Sequence, residues 1–484
     1  MGNVLSEFRK SLNLFDATSI VAGSMIGSGI FIVSADISRT LGSPGWLLVV
    51  WALTGFLTII AALSYGELAS MMPQAGGQYV YLREAYNPLS GFLFGWTLFM
   101  VIQTGSIAAV GMAFAKFMGV IIPWFSEKNV LFYIGPLKIS TVHALAIANI
   151  VFLSWINAQG IRLGKIVQNS FTVTKILSLI GLIIVGFFLA KSTGAIDLNS
   201  KVFWDAVQIK DGNIIPLTGF ALIAAIGTAM VGALFSADAW NNVTFTAGET
   251  INPKRNIPMS LFLGTLIVIV LYILANIVYM QALPLRGNPD GATVFDRGMQ
   301  FATDDRLGTA AMYGFFGSNA ALIMAILIVI STFGCNNGMI LSAARVYYAM
   351  AKDGLFFKRA GKLNAKGVPS NGLLYQAIWA SLLCLSGTYS DLLDYVIFAV
   401  LIFYTMTIIG IYILRKKRPD AERPYKAFGY PIIPAIYIIM ATLIMIDLLI
   451  YKPNYTWPGL IIVILGIPVY YIWRHYEKPE NQNA

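Results

Sequence analysis

Gly23-Ser24-Met25-Ile26-Gly27-Ser28-Gly29-Ile30-Phe31 is the stretch whose reading decides the architecture. It lies inside an apolar run, Phe15 to Ile37, long enough to cross a bilayer as a helix. Its first seven residues hold three glycines and two serines. These weaken a helix, and here they fall at its midpoint. The plain alternative is a small-residue face for close helix packing, which membrane helices use often. A second stretch tells against it. Phe235-Ser236-Ala237-Asp238-Ala239-Trp240-Asn241-Asn242 puts a carboxylate and two amides inside another apolar run, at the depth where each costs most.

Outward from these stretches the chain is apolar from end to end. It has 484 residues, 57% hydrophobic and 12% charged, with mean hydropathy +0.71. Soluble domains carry roughly 25% charged residues. About twelve spans can be drawn, each near the ~20 residues a helix needs. Their limits are 15–37, 46–71, 89–122, 141–158, 166–190, 217–248, 259–282, 316–351, 371–388, 391–414, 430–450 and 456–474. The weak stretches fall in the first and sixth, five spans apart. Weak segments at corresponding positions of two halves point to a transporter binding site. An odd number of spans per half inverts one half relative to the other. The expected division is one membrane domain over 1–484, with a first repeat over 1–190, a second over 217–414, and two additional helices over 430–474.

The net charge of +10 does not imply a nucleic-acid partner. The positive residues lie in short loops, where the positive-inside rule expects them. Arg162/Lys165, Lys254/Arg255, Lys352 to Lys366 and Arg415 to Lys426 alternate with the more acidic loops Asp197 to Asp211 and Asp290 to Arg306. The basic set is read as cytoplasmic in a cell membrane, together with both termini, where Arg9/Lys10 and Arg474/Lys478 sit. The polar stub Met1 to Asn13 precedes a retained span, not a cleaved signal. No G-x-x-x-x-G-K-[ST] is present, which argues against an ATP-driven pump. Cys335 and Cys384 read as small core hydrophobes. His143 and His475 are far apart, and no metal-ligand spacing or nucleophile–base set suggests an enzyme or a cofactor.

A helix broken in mid-membrane exposes N–H groups at one new end and C=O groups at the other, and lipid satisfies neither. An amino-acid zwitterion satisfies both. Its carboxylate suits the N–H groups of Ser28, Gly29 and Ile30, at a positive half-helix end. Its ammonium suits carbonyls near Ile26 and around Phe235 to Ala237. This mode holds the shared α-groups and leaves the side chain free, with Asp238 and Trp240 beside it. Lys175 lies about eight residues, ~12 Å of helix, into the fifth span. That is a long reach for snorkelling, so its ammonium is expected on backbone carbonyls at a helix break. Lys116, nearer its span's outer end, reads as snorkelling, and Glu67 as interfacial.

The whole chain resembles the amino acid–polyamine–organocation transporters, in their L-type amino acid transporter branch. The resemblance rests on Gly23 to Phe31, Tyr65-Gly66-Glu67-Leu68 with Pro73 to Tyr81, Gln168 to Lys175, and Phe235 to Glu249. It continues through Asn252-Pro253 with Arg255-Asn256-Ile257-Pro258, Ser331 to Gly338 with Ala344-Arg345, and Arg415 to Lys426. It implies an all-α integral membrane protein of the LeuT type, a five-plus-five inverted repeat with two extra helices and alternating access. It implies that Gly27, Ser28 and Gly29 bind a carboxylate, that Phe235 is the outer lid, and that Ser106, Ser331 and Phe398 belong to the pocket wall. Lys175 matches the family's fifth-helix lysine, which stands where sodium-coupled relatives hold an ion. Human members of the branch bond a heavy chain through a cysteine after the third span. Pro123 to Ser140 contains none, so no covalently linked heavy subunit is expected. Asp238 replaces a small residue of many neutral-substrate relatives and adds cationic amino acids to the expected substrates. The resulting expectation is a sodium-independent L-amino-acid exchanger, with a proton-coupled or uniport amino acid/amine permease as the alternative. A scaffold that has lost transport has little use for the costly Asp238 and Lys175.

Overall fold

The computed structural model describes residues 8–135, 137–189, 194–210, 213–385 and 389–476. Among them, ten helices are long and apolar enough to cross a membrane. Two further elements complete a set of about twelve. The ninth span, Ser370–Cys384, is a helix of 15 residues. The first is not one helix: Leu14–Met25 stops, a 3-10 turn covers Gly29–Phe31, and helix resumes over Val33–Leu41. The protein is an all-helical, multi-pass membrane protein.

The start of the first span is fixed locally. The Asn13 side chain accepts from Asp16 N–H at 2.9 Å while the Asp16 carboxylate accepts from Asn13 N–H at 3.0 Å, so two orphan donors are satisfied reciprocally. The helix then packs against the fifth (Ile161–Leu189), seventh (Pro253–Ala282) and eighth (Ala320–Lys352) spans. The second span (Pro44–Met71) lies on the seventh, and the third (Pro88–Ile121) on the eighth. The tenth (Tyr389–Lys417) carries the eleventh (Ile432–Tyr451) and twelfth (Pro453–Tyr476) on its flank. Exposed apolar side chains such as Phe188, Phe220, Ile223 and Leu443 mark faces turned to lipid.

Several limits drawn from the sequence need correction. Arg162 and Lys165 belong to the fifth helix, and Lys254 and Arg255 to the first turn of the seventh, not to loops. Long basic side chains let a helix run past the apolar layer while their charges reach water. The continuous helix of the sixth span covers only Gly219–Ser236, with shorter helical pieces at Asn242–Phe245 and Ala247–Glu249 beyond the break. The eighth begins at Ala320, and a separate helix, Leu307–Phe316, precedes it. A π-helical segment, Leu98–Ile102, interrupts the third span. The links after the third and fifth spans carry antiparallel hairpins, Val130–Ile134 with Leu137–Ser140 and Val207–Lys210 with Asn213–Pro216. Lys478, Asp211, residue 190 and residues 386–388 lie outside the described residues.

Candidate functional site

Five consecutive carbonyls at the end of the first half-helix, Gly23 to Gly27, each meet a donor from another span. The Lys175 ammonium donates to Gly23 O at 2.5 Å, Ile26 O at 2.7 Å and Ser331 O at 3.4 Å. Cys335 Sγ donates to Ser24 O at 2.9 Å. The Tyr272 hydroxyl lies 3.1 Å from Met25 O. Ser331 Oγ lies 3.1 Å from Ile26 O and 3.0 Å from Gly27 O. The negative end of a broken helix is thus neutralised, in part by a full positive charge buried to 1% exposure. On the opposite side of the break, no protein group among the described residues takes up the N–H of Gly27 or Gly29. The asymmetry is chemical: the carbonyls from Gly23 to Gly27 are filled from within the protein, and the N–H groups of Gly27 and Gly29 meet no partner among the described residues.

The fifth span supplies this arrangement from one face. Lys165 pairs with Asp16 at 2.9 Å and Asn169 donates to the same carboxylate at 2.6 Å. Gln168 and Thr172 both reach Ser19 O. Lys175 follows at the spacing of the same helix face. Gly23 is required by this approach, because a Cβ there would sit 2.0 Å from Gln168 Nε2 and 2.2 Å from Thr172 Oγ1.

The sixth span stops at Ser236, and Ala239 takes a positive φ of 65°. Chain direction resumes with the short helix Asn242–Phe245 and a 3-10 turn at Ala247–Glu249. The two breaks touch: a Cβ on Gly29 would lie 2.1 Å from Ser236 Oγ. Tyr272 spans them, its hydroxyl lying 3.1 Å from both Met25 O and Ser236 O. Ser24, Met25, Gly27, Ser28, Gly29, Phe235, Ser236, Asp238 and Ser106 line one cavity of about 20 Å³, together with Cys335 and Met339. A space of this kind holds about one water. The structure is therefore a closed arrangement, and a larger occupant needs the walls to part.

Asp238 is the hinge of the polar geometry. It lines this cavity and two neighbours of about 20 and 10 Å³. Its Oδ1 accepts the Tyr404 hydroxyl at 2.6 Å. Trp240 packs edge-on to Tyr65 and tilted against Tyr404, with centroids 4.8 and 4.9 Å away. It lines the cavity behind Asp238 and not the one at Gly27 to Gly29. Ile30 and Phe398 are buried in the core. The neighbouring Ile397, and not Phe398, lines a cavity with Asp238. The carbonyl of Ile26, read from sequence as open to a ligand ammonium, is already held by Lys175 and Ser331.

Toward the N-terminal face the site is shut. Arg345 and Glu249, each 1% exposed, make a paired contact at 2.8 and 3.0 Å. Ser11 and Leu12 N–H groups both donate to Glu249 O. Glu67 is fully buried in an ion cluster with Arg415 at 2.6 Å and Arg423 at 3.3 Å, near the end of its helix. Lys116 pairs with Glu127 at 2.8 Å and stays partly exposed. Cys384 is a buried free thiol, whereas Cys335 is more than filler because it faces the cavity. Among the described residues no cluster of His, Cys, Asp and Glu is arranged to hold a metal. Tyr272, Tyr404 and Cys335 were not distinguishable in the sequence as functional residues. Each is one neutral side chain in an apolar run.

Residues 12–470 match the amino acid permease family. The human b(0,+)-type amino acid transporter 1 is 29% identical over 479 residues, covering 98% of this chain and 89% of that protein. Its mouse counterpart is 30% identical over 477 residues, covering 98% and 89%. The human large neutral amino acids transporter small subunit 2 is 28% identical over 478 residues, covering 97% and 82%. With this match running through both helix breaks and every span, the chain belongs to the amino acid permeases of the amino acid–polyamine–organocation superfamily, membrane transporters of amino acids and not enzymes.

Proposed function

We propose that this permease is a sodium-independent exchanger of L-amino acids, neutral and cationic, working by alternating access. The observation that carries the reading is the Lys175 ammonium on Gly23 O and Ile26 O. A fixed cation there does what a bound metal ion does for half-helix carbonyls, and it needs no ion from solution. In this reading the substrate carboxylate meets the backbone from Gly27 through Ile30, with Ser28 and Gly29 central. The ammonium meets the Phe235 to Ala237 segment, Phe235 closes over it, and the side chain runs toward Ser106 and Asp238. Ile26 and Ser331 hold the break, while Trp240 and Phe398 stiffen the walls. The inverted halves are 1–190 and 217–414, the helices of 430–474 lie outside them, and both termini face the cytoplasm. No heavy subunit is bonded through 123–140, which lacks cysteine.

The test is uptake of labelled amino acid by proteoliposomes with and without unlabelled amino acid inside. Exchange requires uptake to rise strongly with internal substrate; equal rates mean uniport. The runner-up, proton coupling, draws on Asp238, a carboxylate at the meeting point of three cavities. It requires uptake into empty vesicles to follow an imposed pH gradient.

A further inference from the structure

A cavity of about 190 Å³ is lined by residues 294–313 of the link that joins the seventh and eighth spans, apart from the broken helices. Its lining comprises Arg297 and Arg306, the hydroxyl-bearing Thr303, Thr309 and Tyr313, and the apolar Val294, Ala302 and Ala310, with no acidic residue. Arg306 is the N-cap of Leu307–Phe316, and Thr309 and Tyr313 follow at i, i+4 spacing on that helix. An adjoining face of that helix is buried, and a Cβ on Gly308 would lie 3.1 Å from the Phe31 ring. The cavity therefore adjoins the outer half of the broken first span. Arg39, near the end of that span, reaches Asp305 and Gln300 O in the same segment.

The charges around the cavity are unbalanced at its wall. Asp305 is held by Arg39 at 2.5 Å. Asp296 caps its own helical turn through Thr293. Asp304, outside the lining, forms a long ion pair with Arg306 at 3.7 Å but no hydrogen bond. The Arg306 guanidinium lies 5.5 Å over the Phe117 ring. Arg297 spends Nε on Gly291 O and Nη1 on Thr303 Oγ1, both at 2.9 Å. Two guanidiniums lining one pocket repel each other unless an anion lies between them. A planar guanidinium is suited to a carboxylate or phosphate group, which it binds through parallel N–H···O bonds.

We propose that this cavity is a second binding site, for a single oxyanion group, distinct from the central amino-acid site. The oxyanion sits between Arg297 and Arg306 and accepts from the neighbouring hydroxyls. Its source is a small soluble carboxylate or the phosphate of a lipid headgroup. The proposal does not depend on the exchange reading.

The experiment uses the full chain in dodecyl maltoside micelles, which carry no phosphate, with ¹³C-acetate as the probe and its NMR line broadening as the readout. Wild type should broaden acetate saturably. R297Q/R306Q should bind at least about tenfold more weakly, since charge-assisted hydrogen bonds are lost. R306K, which keeps the charge but loses the planar fork, should bind acetate more weakly than wild type and more tightly than R297Q/R306Q, and serves as the folding control. Nanodiscs containing phosphatidylglycerol separate the sources. Loss of acetate binding by wild type there assigns the site to a lipid headgroup, and unchanged binding assigns it to a soluble anion. Equal broadening by wild type and R297Q/R306Q, or none by wild type, overturns the proposal. Amino-acid uptake measured on the same variants reports the central site separately.

Discussion

Lys175 is the single residue on which the site's electrostatics depend. Its ammonium is fully buried and donates to three carbonyls. Each acceptor left bare costs about 1–3 kcal/mol. Ser331 has one hydroxyl proton for Ile26 O and Gly27 O, so the loss falls on Gly23 O and on one of these two. Lys175→Ala should lower the initial rate of uptake by about tenfold or more, because about 1.4 kcal/mol is a factor of ten; uptake near wild type would remove the ammonium from the account. Lys175 stood out in the sequence because a lysine so far from either end of an apolar run has no inexpensive explanation. Which oxygens it meets required the fold. Asp238 stood out for the same reason, but its partner, Tyr404, is a neutral residue 166 positions away. Under the cationic-substrate reading, Asp238→Asn should weaken competition by arginine against a labelled substrate more than competition by leucine. Equal loss of both assigns Asp238 to structure or proton handling.

The elements that matter are the two interrupted helices, and their meeting is a matter of one missing Cβ. A methyl on Gly29 would lie 2.1 Å from Ser236 Oγ and 2.8 Å from Ser236 Cβ, closer than packed atoms approach. Gly29→Ala should therefore nearly abolish uptake. Adding Ser236→Gly removes both clashing atoms and should restore a measurable part of it. An uptake assay in which G29A alone is active, or in which the pair is no better than G29A, contradicts this packing. The breaks were legible because glycine, serine and buried polar residues are written into the sequence at membrane depth. The bridge between them was not. Tyr272 looks like any aromatic of an apolar span until its hydroxyl is found beside Met25 O and Ser236 O. Nor could apolar periodicity reveal the π-helical segment at Leu98–Ile102, since the run stays hydrophobic through the wider turn. The short hairpins escaped because the sequence was read for spans, and their strands of four or five residues sit in the links.

At the scale of the molecule, the closure beside the N-terminal segment rests on a buried ion pair. Arg345 and Glu249 are each 1% exposed and pair at 2.8 Å. Removing one member of such a pair strands the other and costs about 3–5 kcal/mol, whereas replacing both by apolar residues of similar volume is often neutral. Arg345→Ala should lower the unfolding temperature of the purified protein, and R345M/E249L should recover most of that loss; an R345A protein as stable as wild type contradicts the pair's structural weight. The number of spans and the all-helical class were legible because lipid admits few other solutions. The helix ends were misread where basic residues such as Arg162 and Lys254 lie within helices. The central claim is that a protein ammonium replaces a solution cation at the first-span break, and sodium replacement tests it most directly. Initial uptake of labelled amino acid into proteoliposomes, preloaded with the unlabelled form, is measured with external sodium and again with choline in its place. The account predicts the same rate in both; a collapse of uptake in choline would contradict it.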